Sequence, residues 1–258
     1  MNTRIYHIAT NTFREAVRDR VLYNLIAFAL LLTGAAVLVG QVSIEIERLV
    51  VVNLGLTAVS LFGIVIAILI GIGLVSKEID KRTLYTVLSR PVQRWEFIAG
   101  KFFGLTGTLL VNTLLMSVGV FGALLHVSHR LGAADVSVLI ATYFIVLQFV
   151  IVVALALFFS SFSSPLLSAV FSFSLFVIGA FSEDLRGFAH MAHGVTQWLA
   201  TGVAYLVPNF SALNVISRAA HGEAIAGQLI AFNTLYALTY TLAVLAAATL
   251  IFERRSLK

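Results

Sequence analysis

The chain has 258 residues, of which 60% are hydrophobic and 11% are charged, and its formal net charge is +5. A soluble globular domain neither exposes nor buries that much apolar surface, so the composition excludes one and indicates an all-α polytopic membrane protein. The basic residues flank apolar runs instead of forming an arginine-rich face with interleaved aromatic residues. This distribution indicates membrane topology, and we expect no nucleic acid as a partner.

The first 20 residues contain an amphipathic pattern. Over residues 4–20 the apolar positions recur at helical spacing, while Arg4, Arg14 and Arg18 lie on the opposite face. This pattern predicts a helix that lies in the membrane interface with its basic residues toward the headgroups. An uncharged run follows directly and gives the first membrane span over residues 21–42.

The longest strongly charged segment, residues 76–101, follows a second span that we predict over residues 49–75. Its pattern predicts a helix over residues 80–88, a break at Pro91, and a second helix that passes through Trp95 into apolar sequence. We call residues 76–101 the elbow and expect it at the inner membrane surface, where a soluble partner could dock. The alternative is that its charges only anchor the topology. We expect Lys77, Lys81 and Lys101 to act only as topology anchors.

The third, fourth and fifth spans follow the elbow. The third span covers residues 102–125, and residues 136–182 then contain no charged residue. One helix over the whole of 136–182 would be far longer than a bilayer requires. The serine-rich run that ends at Pro165 predicts a tight inner turn, with Pro165 opening the next helix. Residues 136–182 therefore form the fourth and fifth spans.

Residues 183–224 form a polar outer segment before the sixth span, which we place at residues 225–252. Within this segment, residues 183–205 show an apolar stripe opposite a polar one. We predict a re-entrant amphipathic helix that dips into the outer leaflet without crossing it. A seventh span over residues 183–205 is the alternative, and it would place the basic tail outside.

The distribution of basic residues predicts the orientation of the chain. Thirteen of the seventeen Lys and Arg residues lie in segments that the six-span arrangement places inside, and four lie outside. Both termini are therefore expected in the cytoplasm. No Asp, Glu, Lys or Arg falls within the six spans as drawn, whereas ion-driven carriers keep an ionisable residue at depth. This absence favours an external energy source.

The sequence offers no catalytic motif of its own. The run Ala99-Gly-Lys101 lacks the upstream glycine and the Ser/Thr of a phosphate-binding loop, so we expect no ATPase site and no cofactor in this chain. The chain has no cysteine, which excludes disulfide and thiolate chemistry. Polar residues inside the spans are expected mainly in helix packing. Four of them could also line a polar pathway, namely Asn53, Ser60, Ser168 and Ser172.

Two histidine pairs have a spacing that could serve a metal ion. His126 and His129 follow the third span, and His190 and His193 lie on the polar stripe of the outer segment. An i, i+3 pair can share copper or zinc, but polar stripes near headgroups also favour histidine. Since no cysteine, methionine or carboxylate cluster completes a ligand shell, we expect no metal site.

Motifs along the whole chain resemble those of one transporter family. In the elbow they are Glu78-Ile-Asp-Lys-Arg-Thr83, Leu88-Ser-Arg-Pro-Val92, Arg94-Trp-Glu96 and Gly100-Lys101; elsewhere they are Asn11-Thr-Phe-Arg-Glu15 and Pro208-Asn-Phe210. Together these motifs resemble the permease subunits of type-two ABC exporters. The chain departs from the family pattern at Arg82, where the family often has glycine.

The resemblance implies a specific assembly and mechanism. Two permease copies, as a homodimer or pseudo-dimer in the inner membrane, would bind two separate ATPase subunits that hold ATP and Mg²⁺. The N-terminal helix and the elbow would receive the ATPase motion, the second and fifth spans would line the pathway, and the outer helix would be its gate. The coupling residues implied in this way are Glu78, Thr83, Arg90, Pro91, Arg94, Glu96, Arg14 and Arg18.

Two other functions fit the same elements. A non-transporting membrane scaffold could use the elbow to recruit a soluble partner, and an ion-driven carrier or channel could use the same spans. A protein with a Walker A sequence encoded next to this chain would favour the exporter, whereas a carboxylate inside the membrane would favour the carrier.

Overall fold

The structure is a computed structural model that describes residues 2–42, 46–80, 93–128, 132, 135–191 and 193–254. Every regular element in these ranges is a helix. In chain order the helices are α1 (Asn2–Val17), α2 (Arg20–Val42), α3 (Glu47–Asp80), α4 (Arg94–Ser128), α5 (Val136–Ser160), α6 (Pro165–Ala180), α7 (Ser182–Met191), α8 (Val195–Leu206), α9 (Ile216–Ala220) and α10 (Gly227–Arg254).

Helices α3 and α5 form the centre of the bundle. α5 contacts α3, α4, α6, α9 and α10, and α3 contacts α2, α4, α6 and α9 as well. Helix α5 is apolar on all sides, with Phe144, Phe149 and Val152 among its buried residues. A helix without a polar face is buried when it is surrounded by other helices, which explains its central position. Helices α2 and α10 lie at the periphery and expose large apolar side chains.

Five of the described helices are long and apolar enough to cross a membrane, and a bent pair could supply a sixth span. The five are α2, α3, α4, α5 and α10, while the pair is α6 with the first part of α7, bent by 64°. The predicted break between the fourth and fifth spans is confirmed, because α5 ends at Ser160 and Pro165 opens α6. The predicted helix through Trp95 is also confirmed, since α4 runs from Arg94 to Ser128 without a break.

The outer segment differs from the single helix predicted over residues 183–205. It forms two helices, α7 and α8, which contact each other. They are separated around Gly194, whose φ of 65° lies in the left-handed region that glycine adopts at no steric cost. The amphipathic stripe continues across this break, and for that reason the pattern alone predicted one helix.

Different helix ends meet at the two ends of the bundle. At one end, which we call the terminal end, α1 and the last turn of α10 lie beside the first turns of α4. At the other, the distal end, Arg48 at the start of α3 pairs with Asp135 before α5 at 3.1 Å. The Arg48 guanidinium also donates to the carbonyl oxygen of Ala220 at 2.8 Å. This one side chain therefore ties the starts of α3 and α5 to α9.

Candidate functional site

The first turn of α4 is held by a capping interaction of its own residues. The backbone N–H of Gln93 donates to the Glu96 carboxylate at 2.9 Å, with Glu96 three residues into the helix. This is the reach-back half of a capping box, and the positive end of the helix dipole favours a carboxylate there. The Glu96 side chain is buried, and its carboxylate also lies 3.8 Å from the Arg4 guanidinium of α1.

Arg94 connects the same turn of α4 to the end of α10. Its guanidinium donates to the carbonyl oxygen of Phe252 at 2.5 Å and lies 5.8 Å from the centroid of the Phe252 ring. That ring stacks on Phe97 of α4 with centroids 5.9 Å apart. The last carbonyl groups of a helix lack partners within the helix and carry partial negative charge, so a cation is favourable there.

Helix α1 packs directly against the next turns of α4. A Cβ atom added at Gly104 would lie 2.6 Å from both the Ala9 carbonyl oxygen and the Thr12 Cβ, so only a glycine allows this approach. Thr12 and Ala16 of α1 are buried, while Arg14 is exposed. The predicted amphipathic helix is therefore present, and part of its less polar face is covered by α4 instead of lying on the bilayer.

Lys101 is not the surface anchor that the sequence predicted. Its side chain is 1% exposed, and the ammonium lies 5.7 Å from the centroid of the Phe97 ring. Together with Leu157 and Ser161 at the end of α5, these residues leave a cavity of only about 10 Å³. The third span was drawn from residue 102, but α4 begins at Arg94, which places Lys101 two turns into the helix. Tertiary packing against α5 and α10 then covers it.

We call Arg4, Arg94, Glu96, Phe97, Lys101 and Phe252 the junction. They join α1, α4 and α10 at the terminal end, and Lys101 also reaches the end of α5. Two of the predicted coupling residues, Arg94 and Glu96, belong to it. The Glu96 carboxylate is buried and engaged within the chain, so its predicted contact with a partner stays a prediction.

The other predicted coupling residues lie outside the junction. Arg14 and Arg18 are exposed on and just after α1. Glu78 lies in the last turns of α3, where the structure describes the backbone. Thr83, Arg90 and Pro91 fall outside the described residues, as does the predicted helix over 80–88 beyond Asp80, the last residue of α3.

The four predicted pathway residues lie between or along helices of the core. Ser60 of α3 donates to the Gln148 side-chain oxygen of α5 at 3.3 Å, and Asn53 is half-buried two turns earlier on α3. Ser168 and Ser172 are buried on α6, where their hydroxyls lack a hydrogen-bond partner among the described residues. The sequence analysis missed Gln148, although an amide side chain in the middle of a strongly apolar helix was a usable signal.

The histidines are only partly described. His126 and His193 are exposed, His129 lies outside the described residues, and nothing is described of the His190 side chain. Among the residues that the structure describes, no three His, Cys, Asp or Glu side chains form a group that could hold a metal. The expectation of no metal site therefore stays a prediction.

The comparisons with known proteins concern almost the whole chain. A family model described as ABC-2 family transporter protein matches residues 6–257. No curated protein matches the sequence.

Proposed function

Since the chain belongs to the ABC-2 family, the permease subunits of type-two ABC transporters, we propose that it exports its substrate with ATP hydrolysed by a separate ATPase subunit. The family implies an ABC ATPase as partner. In this proposal the ATPase holds ATP and Mg²⁺, and the permease contributes no cofactor. It assembles as two permease copies with two ATPase subunits in the inner membrane.

The lengths of α3 and α4 support the elbow as the point where force enters. α3 has 34 residues and α4 has 35, which corresponds to helices of about 50 Å. The hydrocarbon core of a bilayer is about 30 Å thick, so both helices are long enough to extend beyond it. The segment 81–92 connects them, and a partner that grips this segment acts on both helices at once.

The junction is the single observation that carries the proposal. Arg94 and Glu96 link the first turn of α4 to α10 and α1, so a displacement of α4 acts on both neighbours. A force on the elbow is then passed to three helices together instead of bending one of them. In this proposal Arg94 and Glu96 act within the junction, while Glu78, Thr83, Arg90 and Pro91 of the elbow meet the ATPase. Arg14 and Arg18, on and just after α1, meet it as well.

The pathway in this proposal lies along the second span and the bent fifth span. Helix α6 fully buries only Ser168, Ser172 and Gly179, and most of its large apolar side chains face outward. This exposed face is available to a second permease copy. The pair α7–α8 at the distal end serves as the outer gate, and both termini are in the cytoplasm.

The test is a charge reversal at the elbow. Glu78→Lys adds positive charge on the proposed inner side, so it does not disturb a topology that follows the positive-inside rule. We expect normal insertion with loss of ATPase copurification or of substrate-stimulated ATP hydrolysis. The matched control is Glu223→Lys, at an exposed residue of the distal end, which should leave both measurements unchanged. A fully coupled complex with Glu78→Lys would show that the elbow is only an anchor.

A further inference from the structure

A polar cavity opens at the distal end, away from the junction. It has a volume of about 360 Å³ and is lined by charged and amide side chains. They come from α7, from the connection between α8 and α9, from α9 itself and from α10. The residues that matter here are Glu183, Arg186, Asn209, Ser211, Arg218 and Asn233.

The amide and hydroxyl groups of this cavity are already fixed. Asn233 donates to the Ala212 carbonyl oxygen at 2.8 Å, and Ser211 donates to Glu183 at 3.1 Å. The Asn209 side-chain oxygen accepts from Ser182 at 2.6 Å. A polar wall held in this way is preorganised, so a ligand does not have to order it on binding.

The charges of the cavity favour the binding of an anion. Arg186 and Arg218 outnumber the single carboxylate of Glu183, which leaves one positive charge among the lining residues. The Nε of Arg186 is buried and lacks a hydrogen-bond partner within the described part of the chain. A buried donor without an acceptor is costly, and a ligand oxygen would satisfy it.

The charge and the two arginines suit a singly charged oxyanion such as a phosphodiester. Guanidinium groups match phosphate oxygens with two parallel hydrogen bonds. One net positive charge balances a phosphodiester, which carries a single negative charge. The cavity is larger than a phosphate needs, and the Glu183 carboxylate can accept a hydrogen bond from a headgroup hydroxyl or ammonium beside it.

An apolar groove further along α10 indicates that the phosphodiester belongs to a lipid. This groove of about 440 Å³ is lined by Tyr240 and Val244 of α10, by Phe158 of α5 and by Leu175 of α6. Val244 lies eleven residues after Asn233, which is about 16 Å along the helix. Half of the hydrocarbon core is about 15 Å. The groove therefore lies at the depth that the lower part of an acyl chain reaches below a headgroup held in the cavity.

We propose that the distal cavity binds the phosphodiester headgroup of a membrane lipid whose acyl chains lie along this groove. Arg186 and Arg218 bind the phosphate, and Glu183 accepts from a donor on the headgroup. The inference goes beyond the proposed function and does not depend on it, because lipid binding is measured on the permease without an ATPase.

The test uses the full chain, delipidated in detergent and titrated with single lipids by native mass spectrometry. Phosphatidylglycerol should bind more tightly than phosphatidylcholine, whose headgroup has no hydrogen-bond donor. Arg186→Gln with Arg218→Gln should weaken phosphatidylglycerol binding by at least about tenfold. The control His221→Gln, at an exposed residue outside the cavity lining, should bind as wild type.

A second variant separates the site from a folding defect. Glu183→Gln keeps a side-chain oxygen that can accept from the headgroup hydroxyl, and it removes the only negative charge of the lining. It should therefore tighten phosphatidylglycerol binding, and misfolding cannot produce that gain. Equal binding of the two lipids, unchanged binding in the double arginine variant, or no gain with Glu183→Gln would each overturn the proposal. Displacement of the lipid by inorganic phosphate at similar concentrations would overturn the assignment to a lipid and leave a free-anion site.

Discussion

At the scale of single residues, Glu96 shows how one buried carboxylate can serve two helices. Its capping hydrogen bond to Gln93 lies within α4, and its contact with Arg4 reaches α1. The Arg4 side chain is 49% exposed, so water and salt screen the ion pair. Within this pair of interactions the capping bond contributes more, because it satisfies a backbone donor that has no partner in the helix.

Substitutions at Glu96 separate these two contributions. Glu96→Ala removes both, and we expect the free energy of unfolding to fall by about 1–3 kcal/mol. Glu96→Gln keeps an oxygen for Gln93 and loses only the charge, so the expected loss is below about 1 kcal/mol. Thermal unfolding of the purified protein in detergent measures the difference. Equal losses in the two variants would mean that the ion pair, and not the cap, stabilises this turn.

At the scale of elements, the contact between α1 and α4 depends on the absence of side chains along one line of α4. Gly100 and Gly104 face Ile8, Ala9 and Thr12 of α1. Without this contact α1 would be held mainly by its amphipathic character, and the Arg4–Glu96 pair would have to bridge a wider gap. The close packing of α1 is thus a condition for the junction.

A pair of alanine substitutions in α4 tests this condition. At Gly104 a Cβ atom would meet the α1 backbone at 2.6 Å, and we expect a destabilisation of about 1–3 kcal/mol with displacement of α1. Gly107 lies one turn further, and a Cβ atom there would be 3.7 Å from Phe13, an ordinary contact. Gly107→Ala should therefore be neutral or stabilising. Cleavage by a protease after α1 reports the displacement, and equal sensitivity of both variants would contradict the role of Gly104.

The elements that the sequence predicts well are those with a local signal. Pro165 cannot continue a helix from before it, so the turn between α5 and α6 was predictable. The division of α7 from α8 was not, because Gly194 is the only breaker there and the apolar stripe continues past it. Glycine tolerates both helical and left-handed conformations, and only the packing of α7 on α8 selects the second.

At the scale of the whole molecule, the site was harder to predict than the fold for a similar reason. Arg94 donates a hydrogen bond to the carbonyl oxygen of Phe252, which is 158 residues away in the chain. No sequence pattern near Arg94 predicts this contact. Lys101 stands next to Gly100 at the start of an apolar run, which is the typical position of a topology anchor. Lys101 is buried because α5 and α10 pack against it. Both helices are distant in sequence, so the residues around Lys101 do not indicate this packing. The capping position of Glu96 after Gln93 was the one part of the junction with a local signature.

The arrangement of the whole chain in the membrane is tested by cysteine labelling. The wild-type chain has no cysteine, so each introduced one is the only target. With six spans and cytoplasmic termini, Ser256→Cys should be shielded from an impermeant maleimide in intact cells, whereas Ala134→Cys and His193→Cys should react. The permeabilised cell is the control, in which all three should react. Labelling at position 256 in intact cells would contradict the six-span arrangement.

The length of α6 has a consequence for the bilayer itself. α6 contains 16 residues before the 64° bend, which corresponds to about 24 Å of helix. This is shorter than the hydrocarbon core of about 30 Å, so the helix and the lipids around it are mismatched. A mismatch of this sign is relieved when the bilayer thins or when flanking polar residues are drawn inward. Where α6 faces lipid and not a second permease copy, we therefore expect the bilayer to be thinner beside it than beside α3 or α4.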